Sequence, residues 1–170
     1  MVFIKRIKHL SKYFVTAVVT VVSALTPINM SSGATSTSTF QVTATVASSC
    51  TVSATTLAFG NYTLAQLDGS SSITATCTNG TTYTIGLDAG TFASATTSTR
   101  KMTGPSASGL SYSLYSDSGR TTNWGNATGS WVSGTGTGAA QVLNVYGRIP
   151  ASQTASIGSY ADTVTVTITF

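Results

Sequence analysis

Four aspartates, Asp68, Asp88, Asp117 and Asp162, are the only carboxylic side chains in the sequence, and His9 is its only imidazole. General acid–base chemistry needs such groups held together within reach of a substrate proton, and these four are scattered. Asp68-Gly69, Asp88-Ala89-Gly90 and Asp117-Ser118-Gly119 have the composition of turns, where Asp bonds its own backbone and Gly takes positive φ. Ser and Thr abound, but a nucleophile needs a base beside it, and none is evident. No catalytic residue is assigned, and no enzyme is expected. Gly134-Thr135-Gly136-Thr137-Gly138 would cradle a phosphate only between a strand and a helix; a strand pattern follows it, so Gly129 to Gly138 reads as a loop. Trp124 and Trp131, near Asn123 and Asn126, could stack on a sugar ring; buried or loop-anchoring aromatics are the plainer reading. Cys50 and Cys77 lack the further Cys or His ligands that a metal centre requires, so neither metal nor cofactor is expected.

The elements that must position these residues begin after a leader. Lys5, Arg6, Lys8 and Lys12 form a cationic front, and Phe14 to Leu25 form an apolar run too short to span a bilayer. Small residues follow. This is the layout of a secretory signal peptide over 1–34, with cleavage preferred after Ala34 and Ala24 as the alternative; a retained membrane anchor is the competing reading. Removing the leader changes the electrostatics. The formal charge of +4 rests on eight basic residues against four acidic ones, and four of the basic ones leave with the leader. Arg100, Lys101, Arg120 and Arg148 then balance the four aspartates, and no basic footprint for nucleic acid remains. About 136 residues follow the leader, enough for one domain with a core. In an exported chain the even pair Cys50 and Cys77 reads as a disulfide, and closing its loop of about 27 residues would stabilise by about 3.5 kcal/mol in the chain-entropy model. Two reduced buried thiols are the alternative.

Apolar residues recur at strand spacing. Cys50 to Ala54 leads toward Leu57 to Gly60, Ile73 to Cys77 alternates, and Asn79-Gly80 supplies a hairpin-type turn into Thr82 to Leu87. Leu110 to Tyr115 comes next. In Gln141 to Ile149, Leu143, Val145, Gly147 and Ile149 share one face. Ala93 to Gly109 reads as a long connection. Short strands at this spacing, with no capped helical period, predict an all-β antiparallel sandwich of immunoglobulin-like type. Two further stretches alternate strictly: Phe40, Val42, Ala44 and Val46 near the start of the exported chain, and Asp162 to Phe170 at its other end. The first is preceded by Thr35 to Thr39, which carry no apolar anchor, so it can be offered to another molecule as readily as to its own fold. The pair reads as donor and acceptor edges of a polymer-forming subunit.

Cys50-Thr51-Val52, Leu57-Ala58-Phe59-Gly60-Asn61-Tyr62, Cys77-Thr78, Arg100-Lys101-Met102 and Leu110 to Asp117 resemble the landmarks of spore coat protein U domains. These are related to the subunits of archaic (Csu-type) chaperone–usher pili. The resemblance continues through Arg120, Trp124-Gly125, Gln153 and Gly158 to Val164, and is most specific at Tyr146-Gly147-Arg148-Ile149-Pro150 and Tyr160-Ala161-Asp162-Thr163-Val164. It implies a single incomplete immunoglobulin-like sandwich, completed by donor-strand exchange, with a donor segment over 35–48 and the sandwich over 49–170. A periplasmic chaperone would lend a strand, and an outer-membrane usher would replace it with the N-terminal segment of a neighbouring copy. Phe40, Val42, Ala44 and Val46 would be the donor side chains. Val164, Val166, Ile168 and Phe170 would border the acceptor groove, and Cys50–Cys77 would be the family disulfide. Ala44 is small for a groove-filling residue, so its pocket should be shallow or filled from the other side. The expected function is a structural subunit of a bacterial surface fibre serving adhesion or biofilm formation, located at the cell surface. A coat protein of the same fold is the first alternative, and a secreted carbohydrate-binding module the second.

Overall fold

The computed structural model describes residues 33–170; the leader expected over 1–34 lies outside the described residues except for its last two. The chain divides after Val42, and both sheets belong to the unit Thr43–Phe170. The described residues form nine strands and no α-helix. β1 (Cys50–Ala54), β2 (Leu67–Cys77), β8 (Ala140–Ile149) and β6 (Ser113–Tyr115) make one antiparallel sheet in the order β1-β2-β8-β6. The second sheet has β3 (Thr82–Leu87) between β7 (Val132–Thr135) and β9 (Val166–Thr169). β4 (Lys101–Thr103) and β5 (Gly109–Ser111) form a small ladder of their own. The alternation explains the layers. Ile73, Ala75 and Cys77 of β2, Tyr83, Ile85 and Leu87 of β3, and Val145 and Ile149 of β8 are buried in one core, while the intervening Thr and Ser residues face outward. The result is an immunoglobulin-like sandwich whose sheets do not close.

Several local expectations change. β2 begins at Leu67, so Asp68-Gly69 is strand and not turn; Asp68 pairs with Arg148 and Gly69 with Gly147 across β8. The stretch expected as a Gly-rich loop contains β7, and the long connection over 93–109 contains β4. The Leu110–Tyr115 strand is broken at Tyr112, whose buried side chain enters the core between β5 and β6. There the Gln153 side chain acts as a strand partner: its Oε1 accepts the Ser111 N–H at 2.7 Å and its Nε2 donates to the Ser111 carbonyl at 2.9 Å. Phe40 to Val46, a strand by its pattern, has no strand structure: Phe40, Val42 and Val46 are 86%, 83% and 82% exposed. Alternation supplies one apolar face but no hydrogen-bonding partner, and a strand needs both.

Candidate functional site: an open groove between two strand edges

Among the described residues, β1 pairs only with β2 and β9 only with β3. These two free edges belong to different sheets, and they approach each other without pairing. Beside them lies an open apolar groove of about 430 Å³. Ile73, Leu114, Val145 and Leu87 form its floor, Ala54 to Leu57 and Phe59 one wall, and Tyr160 to Val164 with Val166 the other. Clefts of about 300–1,000 Å³ commonly take small molecules, which are fixed by a few convergent polar groups. Here the walls are the segments that run out of β1 and into β9, so an unpaired edge adjoins each side. An unpaired edge beside an apolar groove is a template for an added strand.

Local sequence builds each wall. Leu57 and Phe59 follow β1 without forming a strand of their own, and lie over Gly69 and Gly147, which are paired across β2 and β8. A Cβ on Gly147 would stand 2.7 Å from the Phe59 ring and 2.9 Å from Leu57, so the close approach requires glycine there. Phe59 also meets Tyr112 edge-on, with ring centroids 6.3 Å apart. At the outer end of the β1 wall, Cys50 and Cys77, paired in register, are joined by a disulfide.

The opposite wall is held by carboxylates. Asp162 accepts the Tyr112 hydroxyl at 2.7 Å, the Thr91 N–H at 2.7 Å and the Thr91 hydroxyl at 2.8 Å. Burial, reinforced by Asp162, pushes the Tyr112 phenol far above the usual tyrosine range, so it remains a donor. Asp88 accepts N–H groups from Gly90 and Thr165. Burial alone would raise its carboxyl, but the hydrogen bonds from Thr165 and Gly90, with Arg100 nearby, outweigh it and hold the group below the ordinary aspartate value. Arg100 is fully buried and donates to the carbonyls of Leu87, Asp88, Thr97 and Trp124 at 2.7–2.8 Å. It thereby fixes the end of β3, from which Asp88 reaches the wall.

Of the four residues expected to border the groove, Val164 and Val166 line it, and Ile168 packs on the core. Phe170 is 56% exposed and lines a separate depression with Tyr83 and Thr169. Trp124 takes the plainer of its two readings, a buried aromatic: it is 1% exposed, and its ring N–H donates to the Ile85 carbonyl at 2.8 Å, so it cannot stack on a sugar. Asp117 forms the expected turn, accepting N–H groups from Thr121 and Thr122. Asp68 instead holds Arg148 through two bonds of 2.8 and 3.0 Å, with Arg120 at 3.5 Å. Sequence reasoning missed the roles of Arg100, Tyr112 and Asp162. Their signal was scarcity: a chain with so few charges has few to leave unused.

Fold and groove together define an immunoglobulin-like sandwich whose sheets do not close and whose free edges flank an apolar groove. The chain belongs to the spore coat protein U domain family, whose model, described as Spore Coat Protein U domain, matches residues 36–167. It is similar to Protein U of Myxococcus xanthus, with 33% identity over 171 residues, covering 91% of this chain and 96% of the relative. Among solved structures it is similar to the CsuC–CsuE chaperone–tip adhesion subunit pre-assembly complex from the archaic chaperone–usher Csu pili of Acinetobacter baumannii, with a TM-score of 0.56 and 26% identity. That match covers 74% of this chain and 41% of the other, so the chain spans less than half the length of that relative.

Proposed function

We propose that this protein is a structural subunit of a bacterial surface fibre, exported through the periplasm and polymerised by donor-strand exchange. A periplasmic chaperone fills the groove first. An outer-membrane usher then exchanges that strand for residues 35–48 of a neighbouring copy, which place Phe40, Val42, Ala44 and Val46 between β1 and β9. The observation that carries this reading is the coincidence, in one chain, of an unfilled apolar groove with a strongly exposed alternating segment. Burying Phe40, Val42 and Val46 is worth about 5–9 kcal/mol gross, at about 1.5–3 kcal/mol each, and main-chain hydrogen bonds add about 1 kcal/mol each. Head-to-tail exchange is a heterologous contact that does not close on itself, so it builds filaments. The solved relative, a subunit held by its chaperone before assembly, supports the escort step. Adhesion or biofilm formation is the role such a fibre serves.

The test compares the exported chain with and without residues 35–46, by size-exclusion chromatography and electron microscopy. Heat- and SDS-resistant ladders that require the segment are expected; a stable monomer in both forms would refute donor-strand assembly. The family's description favours one second reading, a coat of the same subunits. Immunogold labelling separates the two, since fibres carry label away from the cell and a coat lies on it.

A further inference from the structure

We propose that Asp162 is a positioning residue that keeps the empty groove open, a role that rests on the donor-strand reading. Val164 and Val166 face a gap floored by Ile73 and Leu114. Protein interiors pack densely, and an unfilled apolar volume costs free energy, so such a gap favours collapse of its walls. Apolar contacts across the gap pull the wall inward, and only restraints from other directions oppose them. Those restraints are polar. Asp162 Oδ1 accepts from the Thr91 N–H, the Thr91 hydroxyl and the Thr163 N–H, at 2.7, 2.8 and 2.8 Å, while Oδ2 accepts the Tyr112 hydroxyl. On one side of it, Ala161 and Thr103 exchange main-chain bonds of 2.8 and 3.1 Å. On the other, the Thr165 N–H reaches Asp88 and the Thr165 carbonyl accepts the Asp88 N–H. The wall from Ala161 to Thr165 is thus tied at Ala161, Asp162 and Thr165, and of the partners that hold it, Thr103, Thr91, Tyr112 and Asp88, only Tyr112 lines the gap.

A strand lent to the groove would hold this wall by pairing with its edge and packing on Val164 and Val166. The need for Asp162 is therefore specific to the empty state, and that separates positioning from general stability. The experiment uses the chain carrying Phe40→Asp, which cannot donate its own strand, and a fluorescent synthetic peptide of residues 35–48. Two quantities are read: the rate of peptide uptake and the thermal midpoint of the peptide-filled chain. Asp162→Ala is expected to slow uptake about ten-fold, as loss of charge-assisted hydrogen bonds implies, with the filled midpoint unchanged. Asp162→Asn keeps the Oδ1 acceptor and is expected to restore uptake to within about two-fold, while Tyr112→Phe, losing one bond, slows it about three-fold. Asp117→Ala removes a turn carboxylate outside the groove, and is expected to lower the midpoint without slowing uptake. Unchanged uptake in Asp162→Ala, or a filled midpoint that falls with it, overturns the proposal. Should Asp162→Ala fail to fold, the Asn and Phe variants decide: uptake by Tyr112→Phe equal to the parent rate overturns it. If the parent takes up no peptide at all, the donor-strand reading falls, and this role with it.

Discussion

Replacing Phe40 with alanine separates what this side chain does in the monomer from what it does in a polymer. In the monomer the ring is 86% exposed. Its removal should change folding stability by no more than about 0.5 kcal/mol, as for ordinary surface substitutions. On the donor-strand reading the ring is buried in a joint between copies, and its loss removes most of the about 1.5–3 kcal/mol gained by enclosing a large apolar side chain. At about 1.4 kcal/mol per factor of ten, each joint weakens about 10- to 150-fold. The assay heats polymer in SDS and records the temperature at which the ladder collapses to monomer, with a urea midpoint for the monomer alongside. Val142→Ala is the matched control, a 65% exposed valine on the outward face of β8 that has no part in the joint. An unaltered ladder in Phe40→Ala, or a monomer midpoint that drops with it, would refute the assignment of Phe40 to a neighbour's groove.

Two further outcomes concern the scaffold. Arg100→Leu strips the donors from four main-chain carbonyls; the two buried ones, of Leu87 and Trp124, alone imply a loss of about 2–6 kcal/mol, seen as a lower urea midpoint, and an unmoved midpoint would contradict the clamp. Acid should also destabilise the fold. Asp68 is held low by the Arg148 hydrogen bond, Asp117 by the Thr122 N–H, and Asp88 as described. Carboxyls depressed by folding contribute stability that is complete above their unfolded value near 3.9 and is lost as pH falls through the folded values. Thermal midpoints should therefore be level from neutrality to about pH 5 and fall below about pH 4, with a shallower fall in Asp88→Asn. Midpoints that stay level down to about pH 2 would exclude these carboxylates as the cause.

How much was legible in the sequence follows from the range of each interaction. β1, β3 and β8 came through with their bounds nearly intact, because an alternating apolar face is a local property. Asp68-Gly69 misled because its partners, Arg148 and Gly147, lie on a distant strand; locally the pair has only the chemistry of a turn. Gly134 misled for a related reason. It reads as loop punctuation, yet it sits in β7 because the Tyr83 ring occupies the space a side chain would need. The Asp162 and Arg100 networks join segments across the chain, and composition could indicate only that these charges were few.

The segment over 35–48 is a different case, because there the sequence pattern and the single-chain structure disagree and both are informative. Its alternation specifies one apolar face and one polar face, as a half-buried strand requires. Alone it buries neither Phe40 nor Val42 nor Val46 and forms no strand. Strand structure is a property of a pairing, and among the described residues this segment has no partner; on the donor-strand reading its pattern describes a state with another molecule in it. On the donor-strand reading the groove beside β9 has the complementary mismatch: a wall and a floor built for a strand that its own described residues do not supply. The two deficits match in chemistry, since each presents an apolar face and an unpaired hydrogen-bonding edge for which it lacks a partner. A substitution that adds charge to the exposed segment should therefore block assembly without unfolding the subunit.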